Sequence, residues 1–436
     1  MFPDESSRSH AFFQDAREVL PGGNTRTTVF LKPYPIYAAR GEGCRIWDVD
    51  GVQRIDCINN YTAAIHGHAH PRLVAEAVDQ LRLGTAFGMP TQSEIDLARL
   101  LSERVASVEQ VRFSNSGTEA VMTALKAARA HTSRPAIAKC EGSYHGTYDF
   151  AEVSMDSTAA NWGEGAPRSV PFSRGTPQGV LDDVVVIPFN DVDGSAQILR
   201  ERAQDLAAIL VDPMPNRAGL MAATPEYLAM LREVADEIGA VLVFDEVISF
   251  RLGHGGAQGL WGVDADLTCF GKIIGGGFAV GATGGRAEIM QVFDPTDGKP
   301  AVPQGGTFSA NPMTMRCGRV AMEMLDTAAF AHLDRLGERA REGIEAAFQD
   351  TGVEGQVTGR GSLLKIHFSA APITSYRTAQ HDAPAAARLA RLNVELLNRG
   401  VVMAGYGLMA FSTPMNEDDV DEVVAAVAAS LRAIAT

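Results

Sequence analysis

Asp266-Leu-Thr-Cys-Phe-Gly-Lys272-Ile-Ile-Gly-Gly-Gly277 decides how this chain is read. Its apolar half has the length and composition of a buried strand, and it delivers a lysine into a glycine-rich turn. Five other lysines exist (Lys32, Lys126, Lys139, Lys299 and Lys365), and none has such surroundings. A lysine against apolar walls loses hydration, which lowers its pKa and frees the neutral amine for Schiff-base chemistry. A lone lysine at a strand end is more often an ordinary surface residue. Upstream, however, Val241-Leu-Val-Phe-Asp245-Glu-Val247 reads as a second buried parallel strand. It ends in a carboxylate where open α/β sheets place their ligands. A Schiff-base lysine paired with a carboxylate that can hold a pyridinium nitrogen is the arrangement pyridoxal phosphate requires.

Outward from this pair, residues 91–285 alternate strand and helix. Strand-like runs begin at Val111, Ala136, Val184, Ala208, Val241 and Leu267, and helical spacing covers 93–105, 117–130, 192–204 and 225–239. That rhythm predicts an α/β fold, a large mainly parallel sheet with helices on both faces. The stretch from Ser154 to Asp183, rich in Gly, Pro, Ser and Thr, breaks the rhythm and is expected to form a flap near the site. Beyond about Ala310 come helices to Met324 and Phe348. Strands at Leu363–Phe368, Val401–Met403 and Leu408–Ser412 then mix with helices at 383–399 and 416–434, which predicts a smaller α+β domain. Before the large domain, a helix over 9–20 stops at Pro21-Gly-Gly23, residues 37–51 turn like a hairpin, and Pro71 opens a helix. The expected domains are an N-terminal segment 1–75, a large domain 76–315 and a C-terminal domain 316–436.

The chain has 436 residues, 46% of them apolar, which excludes a disordered or fibrous class. Thirty-eight basic against 53 acidic side chains leave a net charge of −15, which disfavours nucleic acid or an anionic membrane as partner. Five scattered cysteines without a CxxC pair read as reduced core thiols. No apolar stretch reaches the roughly 20 residues that span a bilayer, and the polar start has no signal-peptide core. The expected location is the cytoplasm. His66, His68 and His70 alternate, but no Cys, Asp or Glu joins them locally. Turn and helix-cap hydrogen bonding is the expected role, and no metal site is assigned.

Ser114-Asn-Ser116-Gly117-Thr118-Glu119-Ala lies between a strand and a helix, where small residues and oriented N–H groups suit a phosphate, although Ser and Thr also cap ordinary helices. Gly142-Ser-Tyr144-His145-Gly146 is a weaker signal, an aromatic in a glycine turn. Taken in chain order, Ser116-Gly-Thr118, Tyr144-His-Gly, Asp245-Glu-Val247, Gly271-Lys272 and Gly306-Thr307-Phe closely resemble the class III, fold-type I aminotransferases over nearly the whole chain. Within that class the chain is most similar to the glutamate-1-semialdehyde aminomutase and β-amino-acid aminotransferase group. Pro21-Gly-Gly-Asn24, Gly67-His-Ala-His-Pro71, Asp266-Leu-Thr, Gly271 to Gly277, Gly284-Gly-Arg286 and Gly306 to Pro312 carry that match.

The resemblance implies roles for these residues. Lys272 would hold pyridoxal phosphate as a Schiff base and move the proton, and Asp245 would keep the pyridine nitrogen protonated. Tyr144 would stack on one ring face and Val247 press the other. Ser116, Gly117 and Thr118 would hold the phosphate, and Thr307 would reach the phosphate of a neighbouring subunit, making a homodimer with shared sites. The N-terminal segment would fold over the active site. Arg40 or Arg26 would anchor a substrate carboxylate, with Tyr61 where the aminomutases carry a tryptophan. Glu246 would support Asp245. The chain departs from the family at Asp212-Pro-Met-Pro-Asn-Arg217, where a longer carboxylate is common, and at Gly22-Gly-Asn-Thr-Arg26. These changes fall where substrate should bind. The expected activity is amino transfer between an amino acid (a β-amino acid among the options) and a keto acid. The alternatives are the aminomutase reaction within one molecule, a cofactor-binding protein without turnover, and a metal hydrolase using the histidines.

Overall fold

A computed structural model describes residues 1–435. Its strands are β1 (Ala38–Glu42), β2 (Arg45–Asp48), β3 (Gln53–Asp56), β4 (Gln110–Ser114), β5 (Ala136–Cys140), β6 (Val184–Ile187) and β7 (Leu206–Val211). They continue with β8 (Val241–Asp245), β9 (Leu267–Gly271), β10 (Gly281–Gly285), β11 (Gln356–Thr358), β12 (Leu363–His367), β13 (Val401–Val402) and β14 (Leu408–Ala410). The chain divides into two compact units. One comprises residues 1–74, 331–372 and 381–436, and the other 75–330 with 373–380.

The larger unit is built on a seven-stranded sheet in the order β4-β10-β9-β8-β7-β5-β6. Strands β5 to β9 pair in parallel. They are buried along their whole length, as apolar runs covered on both faces must be. Helices Gly117–Thr132, Val192–Glu201 and Pro225–Ile238 cover them within three residues of the spacing-based expectation. One strand, β10, was not expected. It runs antiparallel between β4 and β9, and its Gly281-Ala-Thr-Gly-Gly285 sequence has almost no strand signature. Its glycines are there for close approach: a Cβ on Gly281 would lie 2.0 Å from the Ser116 carbonyl oxygen.

The stretch after Ser154 is fastened in place. The Ser154 hydroxyl donates to the Arg168 carbonyl at 2.7 Å and accepts from the Val170 amide at 2.9 Å. The late segment 373–380 adds two ties. The Tyr376 hydroxyl donates to the Ser157 carbonyl at 2.7 Å, and the Arg377 guanidinium pairs with the buried Glu141 carboxylate at 2.8 Å.

The other unit contains a sheet in the order β1-β2-β3-β13 and a second in the order β11-β12-β14. Val401 of β13 pairs in parallel with Ile55 of β3, so the two ends of the chain share one sheet. Helices Thr327–Thr351, Ala383–Asn398 and Glu417–Ala435 bury Leu336, Ile344, Leu392 and Val427 with Leu364 and Phe411 in one core. Among the described residues no helix is long and apolar enough to cross a membrane.

Candidate active site

Strand β8 ends at Asp245, whose side chain is buried between two donors. One carboxylate oxygen accepts from the Val247 amide at 3.0 Å, the other from Nδ1 of His145 at 2.8 Å. His145 sits in the turn after β5, fully buried, and burial pushes its pKa down against the opposing pull of Asp245. The ring is therefore neutral near pH 7, with Nδ1–H aimed at the carboxylate. Its Nε2 is buried with no hydrogen-bond partner among the described residues. No role for His145 was read from the sequence. Its only signal was adjacency to Tyr144 in a glycine turn at the carboxyl end of a parallel strand.

The expectation that Glu246 supports Asp245 is corrected. Its carboxylate accepts from the amides of Ala257 and Gln258 at 2.6 and 3.2 Å and from Gln258 Nε2 at 3.0 Å. Successive side chains leave a strand end on opposite faces, so Glu246 caps the helix Gly256–Trp261. Burial raises its pKa to about 7.

Lys272 follows β9 with φ +49°, a left-handed conformation uncommon for a residue with a Cβ. Burial lowers its pKa, opposed first by Asp245 and then by Asp212. Asp212, at the end of β7, belongs to the same group. Its side chain accepts from the Met214 amide at 2.9 Å, and burial, then Asp245, hold its proton well above the usual carboxylate range. Strand order explains the convergence: β9, β8 and β7 are adjacent and parallel, so their carboxyl ends deliver Lys272, Asp245 and Asp212 to one place.

The helix Gly117–Thr132 starts beside them. The Ser116 hydroxyl caps it, accepting from the Glu119 amide at 3.2 Å, and the Thr118 hydroxyl accepts from the Thr147 amide at 3.2 Å. A Cβ on Gly117 would lie 3.0 Å from a Val247 methyl, so only glycine lets this turn approach so closely. Tyr144 is 40% exposed. Burial, then Asp245, raises its hydroxyl pKa, while Arg217 pulls the other way. The structure thus brings together Lys272, Asp245, Tyr144, Val247, Ser116, Gly117 and Thr118. Thr307 is exposed on the loop after Gln304, which Arg112 and the Phe113 carbonyl hold at 2.9 and 3.0 Å.

Arg26, Arg40 and Tyr61 belong to the other unit. Arg40 lies 3.6 Å above the centre of the Trp47 ring and pairs with Glu42 at 3.2 Å. Arg26 donates to the Asn60 side chain at 2.8 Å and covers the Tyr61 ring. Asn59, Asn60, Tyr61 and Thr62 all have φ between +48° and +77°. Such a run costs roughly 1–2 kcal/mol per residue, and strain of this kind concentrates at functional positions. Nearby, Nε2 of His68 pairs with Asp56 at 2.8 Å and Nδ1 of His66 with the Thr413 hydroxyl at 3.0 Å. Among the described residues no cluster of His, Cys, Asp and Glu could hold a metal ion.

The donor set of the larger unit fits pyridoxal phosphate. Lys272 offers a partly desolvated amine to the aldehyde and Asp245 a fixed carboxylate to the ring nitrogen. The capped helix start at Ser116–Thr118 offers N–H groups to the phosphate. Comparison with known proteins agrees. Residues 29–429 match the model of the class-III aminotransferases. The chain is 40% identical to the glutamate-1-semialdehyde 2,1-aminomutase of Desulforudis audaxviator over 98% of each chain. It is 52% identical to an omega-transaminase from Sphaerobacter thermophilus, with a TM-score of 0.97 over 99% of this chain and 98% of that one. A β-phenylalanine aminotransferase from Variovorax paradoxus shares 34% identity and a TM-score of 0.86, over 97% and 93%. A partly desolvated lysine, its carboxylate and a phosphate-ready helix start on a fold-type I sheet, matched along nearly the whole chain, place this protein in the class III family of pyridoxal-phosphate-dependent aminotransferases.

Proposed function

We propose that this enzyme moves an amino group between an amino acid, a β-amino acid among its substrates, and a keto acid. The observation that carries the reading is the convergence of Lys272 with Asp245 and its buried partner His145. Pyridoxal phosphate, when bound, supplies an aldehyde to take the amino group and a ring that withdraws electrons from the carbon losing its proton. Lys272 would hold that aldehyde, and its amine is placed to move the proton of the reacting carbon. Asp245, fixed by the Val247 amide and His145, would hold the protonated ring nitrogen. Tyr144 and Val247 would confine the ring, and Ser116, Gly117 and Thr118 would hold the phosphate.

The likeness to an omega-transaminase and a β-phenylalanine aminotransferase supports transfer between two molecules. The aminomutase reaction is the second reading, favoured by the 40% identity to curated aminomutases. Arg40, Arg26 and Tyr61 are proposed substrate contacts, supported by the strained turn that carries Tyr61. The enzyme is proposed to be a homodimer in which Thr307 serves the partner's phosphate. Its support is exposed apolar surface on the larger unit: Leu81, Leu83, Phe87, Met89 and, beside Thr307, Phe308. Five buried cysteines outside any disulfide fit a reducing compartment, and the cytoplasm is the proposed location.

The test is a half-reaction. A β-amino acid is added to the holoenzyme, its conversion of the cofactor to the amine form is followed, and the aldehyde form is restored with 2-oxoglutarate or pyruvate. If only glutamate-1-semialdehyde turns over and no keto acid is consumed, the aminomutase reading replaces this one. Arg40→Ala or Arg26→Ala should raise KM for acids more than for plain amines. Unchanged kinetics in both would remove them as anchors.

A further inference from the structure

The loop after β7 carries a cation that the chemistry above does not use. From Asp212 to Met221 every residue is buried except Arg217. The loop is stiff: Pro213 and Pro215 fix their φ angles. The amides of Ala223 and Leu220 donate to the carbonyls of those two prolines at 2.7 and 3.0 Å. A rigid loop whose other side chains are buried therefore projects one guanidinium outward. It does so at the carboxyl end of the strand between β8, which carries Asp245, and β5, whose following turn carries Tyr144. The guanidinium lies close enough to the Tyr144 and Tyr376 hydroxyls to pull both toward ionisation against the burial that opposes it.

Arg217 has one ion pair among the described residues. Its Nη2 lies 3.4 Å from Asp156, in the stretch after the short helix Asp149–Glu152, and that carboxylate is 60% exposed. Charged hydrogen bonds that hold structure run at about 2.7–2.9 Å and are often bidentate for arginine. This contact is long and single, and its partner faces water, so it stabilises the fold little. An arginine held on a stiff loop beside the reacting groups, weakly engaged by an exposed acid side chain, has its fork available to a ligand.

We propose that Arg217 receives a substrate carboxylate and that Asp156 stands in for that carboxylate when none is bound. This rests on the aminotransferase reading, which requires acids as substrates. An acid displaces Asp156 into solvent and takes a two-pronged contact that Asp156 does not make. A plain amine leaves the Arg217–Asp156 pair in place. The residue sets specificity: it selects which molecules enter and takes no proton in the reaction.

The experiment uses the holoenzyme and a carboxylate that cannot react, 3-phenylpropanoate, titrated by calorimetry, together with steady-state kinetics on a β-amino acid and on 1-phenylethylamine. Arg217→Met should weaken 3-phenylpropanoate about 10- to 100-fold, the scale of a lost charged hydrogen bond. It should raise KM for the acid far more than for the amine, with kcat for the acid falling much less than KM rises. Arg217→Lys should fall between, since lysine lacks the fork. Asp156→Asn should tighten 3-phenylpropanoate binding because the internal competitor loses its charge. Unchanged affinity in Arg217→Met overturns the proposal. So does weakened affinity in Asp156→Asn, or a loss seen in Arg40→Ala and absent from Arg217→Met. If no acid is transaminated yet Arg217→Met still loses 3-phenylpropanoate, the functional reading fails and the assignment of Arg217 stands.

Discussion

Replacing His145 with leucine should separate catalysis from folding. In the wild type the fully buried ring makes one hydrogen bond, to Asp245 at 2.8 Å, and leaves Nε2 without a partner. Leucine removes both features. Losing a hydrogen bond to a carboxylate costs about 1.5–3 kcal/mol, and relieving a buried unpaired nitrogen returns about 1–3 kcal/mol. The two nearly cancel, leaving a net stability change of ~1 kcal/mol and a Tm shift of no more than about 3 °C. Activity has no such compensation. Asp245 keeps only the Val247 amide, so its grip on the ring nitrogen weakens by up to the full bond, which lowers kcat about 10- to 150-fold. The assay pairs saturating-substrate kinetics with thermal unfolding of the holoenzyme and with the pH dependence of the bound cofactor's visible absorbance. His145→Asn, which can still donate to Asp245, should recover part of the rate. The sign of the pH effect follows from the lowered pKa of His145. Its neutral form is fully stabilising above the unfolded value of 6.5 and that contribution is lost as pH falls, so the leucine variant should lose less stability on the acid side. A kcat within threefold of wild type, or a rate loss that tracks loss of folded protein, would refute the positioning role.

Borohydride reduction of the holoenzyme followed by peptide mapping should place the pyridoxyl group on Lys272, and label on another lysine sinks that assignment. Lys272→Ala should lose turnover by several orders of magnitude while still binding cofactor. Mixing Lys272→Ala chains with Thr307→Ala chains should restore activity above either parent, because a shared-site dimer then has one intact site. Verified hybrids without recovery would argue against sharing. Asp212 binds its proton more tightly folded than unfolded, so wild-type stability falls as pH rises above the unfolded carboxylate range. Asp212→Asn should flatten that decline, and a stability difference from wild type that stays constant between pH 4 and 8 would contradict the buried, protonated carboxyl.

Much of this architecture is legible in the sequence. The strand at Val241–Asp245 and the helices opening at Gly117 and Pro225 stand where apolar periodicity, capping residues and proline put them. Strand β10, missed along with the short β11, shows the limit. Its burial pattern comes from neighbours that press on bare backbone, and glycine carries no side-chain pattern to read. The N-terminal strands and Val401 join one sheet across nearly 350 residues of chain, a pairing that no local signal encodes.

The sequence by itself determined the cofactor chemistry, because a lysine after a buried strand and an acid at the end of another are local patterns with few physical explanations. It also determined the family, through motifs spaced along nearly the whole chain. The tertiary structure alone decided which neighbours act on those groups. His145 and Asp212 enter the site only because β5, β7, β8 and β9 run parallel with their carboxyl ends together. Glu246 is turned away because adjacent strand residues face opposite sides. Arg217 stands out only once the loop around it is seen to be buried. Partner choice and desolvation are properties of distance between segments remote in the chain, and distance exists only after folding.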